Sequence, residues 1–318
     1  MTQRILEPGQ IETLAQRSIP RIRIPDRAHL LARRAARLRS LAEASPIGDY
    51  LRLFAVVAEA QQSALADFAA SLPTEAQIET AQTHGMPPIS ATSWPRSPQW
   101  QATLRTICDA VAQQPRLPEA VAQLVARIRD AASDELEAQA DIVLGARDGE
   151  VDTAAAPFLM AALQVAWVAL SSRFAPNDVK PLDVAGLCPL CGSLPVASLV
   201  YAQTPYQGYR YLHCALCACE WHMVRVQCSQ CGAVGKDIAY HSLASASAAD
   251  DTTPDGAAVR AETCDHCHSY RKILYQEKDP AVDPLADDLA SIALDVLLAE
   301  QGYARASGNP LLWQPEQR

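Results

Sequence analysis

The chain has 318 residues, 49% apolar and 20% charged, enough for two ordinary domains and inconsistent with a disordered or fibrous class. Its net charge is −9, and the excess is uneven: residues 181–318 hold 9 basic against 16 acidic side chains, whereas residues 1–180 hold 18 against 20. A nucleic-acid grip needs the opposite sign, so DNA and RNA are disfavoured as partners.

The first residues, Met-Thr-Gln-Arg-Ile-Leu-Glu-Pro, lack an apolar run after a basic start, so no secretory signal is expected there. Pro20 and Pro25 close an irregular opening segment, after which Asp26 caps a helix with Leu30, Leu31, Leu38 and Leu41 inward. Ser45-Pro46 is a second start signal, followed at helical spacing by Leu51, Phe54, Val57, Leu65 and Phe68. Four prolines between positions 84 and 99 predict a loop or extended connection there. Ser97-Pro98 opens a helix carrying Trp100, Leu104, Ile107 and Cys108, and Leu117-Pro118-Glu119 opens the next. The most apolar stretch, Ala154–Leu170, contains Pro157 and Gln164 and is short for a bilayer, so it reads as a buried helix capped by Asp152 or Thr153. No membrane insertion is expected, and the residues up to 183 form an all-helical domain.

The pattern changes after Lys180. Val196–Tyr201 and Tyr209–His213 read as a hairpin, Glu220–Val226 as a further extended run, and Ile238–Leu243 with Ala257–Thr263 as a second hairpin. Between the last two lies a Ser/Ala/Asp-rich segment, 244–256, expected to be a solvated loop. Asp283-Pro284 starts one terminal helix with Leu285, Leu289, Ile292 and Leu297 inward, Asp287 and Asp288 facing its dipole, and Gly302 ending it.

Eight of the ten cysteines form four Cys-x-x-Cys pairs between positions 188 and 267. In a reducing cytosol that pattern indicates metal binding rather than a disulfide framework. Each pair turns two sulfurs towards one ion, and two pairs complete the tetrahedral set that zinc or a single iron accepts. The simplest connectivity joins Cys188, Cys191, Cys214 and Cys217, then Cys228, Cys231, Cys264 and Cys267. The intervals between the pairs of each set, 22 and 32 residues, give a hairpin room to bring the second pair back. Gly192 and Gly232 follow the first pair of each set, where a positive φ is commonly needed. The plan of pair, hairpin, pair thus occurs twice. Most such sites only hold a small domain together, since ion binding supplies folding free energy.

Dithiol redox chemistry needs one Cys-x-x-Cys at a helix start, whereas these recur among hairpins. Cys219 reads as small strand filler and Cys108 as core. His213, His222, His266 and His268 lie near the cysteines but are surplus to two complete sets. No nucleophile–base constellation, phosphate loop or nucleotide fingerprint is present, so the chain does not read as an enzyme.

The residues around the cysteines carry more. Leu187-Cys-Pro-Leu-Cys-Gly-Ser-Leu-Pro-Val196, Arg210-Tyr-Leu-His-Cys-Ala-Leu-Cys217, Glu220-Trp-His222, Val224-Arg-Val-Gln-Cys228, Cys264-Asp-His-Cys267 and Tyr270-Arg-Lys-Ile-Leu-Tyr-Gln-Glu-Lys-Asp-Pro280 together resemble the FdhE family of formate dehydrogenase accessory proteins. Ala286-Asp-Asp-Leu-Ala290 and Gly302-Tyr-Ala-Arg305 extend the likeness, while Cys219 and segment 244–256 stand outside it.

The resemblance implies an α+β multidomain fold: a helical domain over 1–183, rubredoxin-like (zinc-ribbon-like) β knuckle units over 184–227 and 228–280, and a C-terminal helix and tail over 281–318. It assigns the eight paired cysteines as ligands of two mononuclear iron sites, with zinc the other candidate. It further implies a cytoplasmic accessory protein that binds the catalytic subunit of respiratory formate dehydrogenase before export. A zinc-ribbon nucleic-acid-binding protein and a rubredoxin-type electron carrier are the competing readings.

Overall fold

The computed structural model describes residues 19–243 and 256–312. The expected loop at 244–256 therefore lies, apart from Gly256, outside the described residues.

The N-terminal half is built from helices α1 (Leu30–Ala42), α2 (Gly48–Asp67), α3 (Glu75–Thr83), α4 (Gln99–Ala112), α5 (Glu119–Asp130), α6 (Ser133–Val143) and α7 (Ala156–Ser171). The helices begin close to their start signals, but Asp26 does not cap α1: its Oδ1 accepts Ala28 N–H one turn ahead, and the N-cap position is His29, with no side-chain cap. Asp152 Oδ1 does accept the N–H groups of Ala154 and Ala155 ahead of α7. Two helices were missed, though one had a legible start. Thr74 and Gln77 form a reciprocal capping box at α3, with Gln77 N donating to Thr74 Oγ1 and Thr74 N to Gln77 Oε1. Helix α7 is buried on every side, which explains a sequence apolar all round rather than on one stripe. Among the described residues no helix is long and apolar enough to cross a membrane.

The C-terminal half is a mixed sheet of β2 (Pro195–Val200), β3 (Arg210–Cys214), β4 (Glu220–Met223), β5 (Ile238–His241), β6 (Val259–Cys264) and β7 (Ser269–Tyr275). Both predicted hairpins form, β2 with β3 and β5 with β6. Each continues into a third antiparallel strand, β4 and β7, so the duplicated unit is knuckle, two strands, knuckle, strand. The units are fused. β2 and β7 run parallel, with Ser198 opposite Ile273 and Val200 opposite Tyr275, giving the order β4-β3-β2-β7-β6-β5. The junction strands β2 and β7 are buried along nearly their whole length, as expected of strands covered on both faces. A short strand from the helical half, β1 (Ile22–Arg23), adds to β4, and β8 (Ala304–Arg305) pairs with the start of β7.

The single C-terminal helix expected from sequence is two, α8 (Ala286–Ala290) and α9 (Ile292–Glu300). The break at Ser291 has a physical cause on β7. Buried Lys272 donates from Nζ to the carbonyls of Asp288 and Ser291 at 2.7 and 3.2 Å, so Asp288 O serves a cation at the break, while Ser291 O also accepts Leu294 N–H as α9 begins. Asp287 and Asp288 do sit in the first turn of α8, and they are also buried and ion-paired to Arg37 and to Arg305. Gly302 does adopt the left-handed φ, at +85°.

Candidate metal centres

The eight paired cysteines come together in two groups, Cys188, Cys191, Cys214 and Cys217, and Cys228, Cys231, Cys264 and Cys267, with the sulfurs of each group within 4.8 Å of one another. Sγ–Sγ distances are 3.5 Å for Cys188–Cys217, 3.4 Å for Cys191–Cys214, and 3.7 Å for both Cys228–Cys267 and Cys231–Cys264. A disulfide would require about 2.05 Å. A tetrahedral ion with metal–sulfur bonds of about 2.3 Å requires sulfurs roughly 3.8 Å apart. The donor set therefore fits one mononuclear ion per group.

The turns that aim these sulfurs are alike in all four pairs. After the second cysteine of each pair the chain enters the left-handed region, at Gly192 (+77°), Ala218 (+56°), Gly232 (+79°) and His268 (+51°). The chain then turns back, with Cys188 N donating to Ser193 O, Cys214 N to Cys219 O and Cys228 N to Ala233 O. Backbone N–H groups point at the sulfurs: Leu216 and Cys217 donate to Cys214 Sγ and Gln230 to Cys228 Sγ, each at 3.4 Å. Only glycine takes this conformation freely, so sequence revealed two of the four positions. At Gly192 a Cβ would also meet Pro87 Cγ at 3.1 Å, while at Gly232 its nearest neighbour is the Gln227 side chain at 3.9 Å. Gly192→Ala is therefore expected to cost about 2 kcal/mol and Gly232→Ala about 1 kcal/mol in denaturant unfolding of the metal-loaded protein. Equal losses would contradict the packing difference.

The groups differ sharply in burial. All four cysteines of the first are within 1% of fully covered and belong to the main hydrophobic core. Helix α7 and the 84–98 connection hold them there. Gln164 Nε2 donates to Ala215 O at 2.7 Å and Ser171 Oγ to Cys217 O at 2.8 Å. Ile89 N and Ala91 N donate to Leu190 O and Cys191 O, and Trp167 Nε1 holds Ile89 O in turn. The proline-rich stretch thus packs as a series of turns on the first knuckle. The polar residues inside the apolar α7 are its contacts to the second. In the other group Cys228 and Cys264 are buried, Cys267 is half-buried and Cys231 is exposed.

Burial pushes the Cys188, Cys214 and Cys217 thiols well above their ordinary range. Four thiols in an apolar core ionise together only against a cation, so the first group suits a bound divalent ion. Cys219 is also fully buried beside it, where burial opposes but S–H bonds from Cys188 and Cys217 bring it down to about 7. Its sulfur contacts Glu220 O at 3.8 Å and is not among the four converging atoms. The four nearby histidines also stay outside both groups. His213 bonds Glu220, His222 packs edge-on to Tyr209 and Tyr211, and His266 and His268 are exposed.

Comparison with known proteins agrees with this geometry. Three family models match: FdhE, N-terminal, over residues 19–183; FdhE, central domain, over 187–225; and FdhE, C-terminal domain, over 226–312. The chain is 39% identical to Protein FdhE homolog of Cronobacter sakazakii, covering 99% of both chains. It is 39% identical to Protein FdhE of Escherichia coli K12, covering 98% of this chain and 96% of that one. The crystal structure of the FdhE protein from Pseudomonas aeruginosa superposes with a TM-score of 0.80 at 40% identity, covering 92% of this chain and 99% of that one. With matched models spanning both the helices and the two cysteine groups, the chain belongs to the FdhE family.

Proposed function

We propose that the protein is a non-catalytic accessory factor that binds the catalytic subunit of a formate dehydrogenase in the cytoplasm and supports its maturation. In this reading Cys188, Cys191, Cys214 and Cys217 ligate one mononuclear iron, and Cys228, Cys231, Cys264 and Cys267 a second, in rubredoxin-like units. The observation that carries it is the pair of converging four-sulfur groups in a chain of the FdhE family. Their unequal burial supports unequal roles. The enclosed group braces α7 and the 84–98 connection, while the group with exposed Cys231 is open to electron exchange with a client.

The acidic C-terminal half weighs against the zinc-ribbon reading on nucleic acid. Anaerobic purification should yield about two iron per chain, as the four-sulfur sets require, and a tagged formate dehydrogenase large subunit should retain the protein. Salt-dependent retention on DNA with no capture by that subunit would overturn the proposal. If zinc replaced iron with client maturation intact, a redox role would be excluded and a purely structural one left.

A further inference from the structure

Arg210 on β3 and Arg271 and Lys272 on β7 are cationic side chains buried where the two sheet units fuse. Two of them meet carboxylates. Arg210 Nη2 lies 2.8 Å from Glu262 Oε1, and Lys272 Nζ lies 2.6 Å from Asp295 Oδ2. Arg271, 4% exposed, pairs with no carboxylate among the described residues. Its donors go to neutral oxygens: Nε to Ser229 Oγ at 2.8 Å, and Nη1 to Pro195 O and Ser307 Oγ. Nη2 is buried without a hydrogen-bond partner. Burial, with Arg210 and Arg305 behind it, brings the guanidinium down to about 9, while the Cys228 thiolate and Asp288 act the other way. It is still a cation at neutral pH, and Asp288 is already shared by Lys272 and Arg305. A charge kept out of water without a counter-charge is costly, so the fold must supply one from elsewhere.

The oxygens that hold Arg271 show where it comes from. Ser229 directly follows Cys228, a member of the second cysteine group. Pro195 pairs across the β2–β3 ladder with Cys214, a member of the first. Covalent and ladder geometry therefore keep the guanidinium within about 12 Å of a sulfur of each group. Four thiolates around a divalent ion leave two negative charges, so the filled groups are two dianions in one fused sheet. The contacts that brace the first group come from neutral side chains and peptides, those of Gln164, Ser171, Ile89 and Ala91. At the second, the neutral Ser269 Oγ lies 3.0 Å from Cys267 Sγ.

We propose that Arg271 is the shared counter-charge of the two centres, a positioning residue set between them that lets both be filled at once. Each ion-loaded group offsets the buried guanidinium, and the guanidinium in turn screens one dianion from the other. This rests on the reading that both groups hold an ion, whatever the metal. Loss of the positive charge should then weaken both ions, and loss of a hydrogen bond alone should not.

Cadmium NMR on the full chain tests it. A redox-silent divalent ion fills four-thiolate sites and gives one resonance per group, each followed separately under chelator competition. Arg271→Gln keeps a donor but removes the charge. It is expected to weaken cadmium at least about tenfold at both groups, the effect of one unit charge at about 12 Å and an effective dielectric constant near 20. Arg271→Lys keeps the charge, and Ser229→Ala removes only one hydrogen bond. Each should hold both affinities within about threefold of wild type, and these two variants decide the matter even where Arg271→Gln does not fold. A tenfold loss in Arg271→Lys or Ser229→Ala would overturn the proposal. So would an Arg271→Gln chain that loses nothing, or loses affinity at one group only. A wild-type chain that fills fewer than two sites would instead defeat the reading on which the proposal rests.

Discussion

Replacing Lys272 by methionine is expected to destabilise the fold by about 3 kcal/mol or more, with a pronounced loss of acid tolerance. Lys272 is fully buried, and its Nζ lies 2.6 Å from Asp295 Oδ2 and 3.6 Å from Asp288 Oδ1, besides the two carbonyls at the α8–α9 break. Methionine fills the volume but leaves those oxygens without their cation, and a buried charge deprived of its partner costs more than the pair ever contributes. Arg305 and Asn309 still reach Asp288, which keeps the loss near the lower end of the range for broken buried pairs. The double variant Lys272→Met with Asp288→Asn should recover part of it, and a thermodynamic cycle measures how much.

The pH dependence has a definite sign. Burial alone would raise the Asp288 carboxyl, but Lys272 and Arg305 outweigh it and hold it below its ordinary value. A depressed folded value means that the contribution is present above the unfolded value of about 3.9 and is lost as pH falls through the folded one. Wild type should therefore keep this contribution to below about pH 4, whereas Lys272→Met should begin to lose stability at higher pH. Superimposable acid-unfolding curves for the two proteins would refute the assignment.

Lys272 also illustrates what the sequence conceals. The knuckles were legible because a Cys-x-x-Cys turn is local and its chemistry is written in four residues. The hairpins were legible for the same reason, since each joins strands near in sequence. The pairing of β2 with β7 joins residues 75 apart, Ser198 with Ile273, and no local pattern marks it. Nor does any local pattern say that Ile89 and Ala91 dock on the first knuckle, or that Gln164 and Ser171 serve the second. Those polar residues in an apolar run were visible, but their partners were not. The uninterrupted C-terminal helix failed likewise, because helical spacing cannot show a lysine arriving from a strand to claim two of the carbonyls. Thr74-x-x-Gln77, by contrast, was a readable start signal for α3.

The two cysteine groups should respond unequally to loss of their ligands. In Cys228→Ser with Cys231→Ser the chain should keep a cooperative thermal transition and one metal equivalent, losing hydrogen-exchange protection around 228–233 and 264–269. Cys188→Ser with Cys191→Ser should abolish cooperative unfolding altogether. The reason lies in where each group sits. The first is inside the main core, and its peptide groups hold α7 and the 84–98 connection. A structural four-thiolate ion supplies on the order of 10 kcal/mol, comparable with the whole stability of a domain at about 5–15 kcal/mol. Without it, buried serines and thiols remain where the core needs a neutralised centre, and α7 loses the surface it packs on. The second group has Cys231 in solvent and Cys267 half-covered, so its ion braces mainly its own knuckles. For the same reason a chelator should strip the second ion well before the first, giving two separated phases of metal release. A single phase, or a first-group variant that melts like wild type, would show that burial does not divide the two sites in this way.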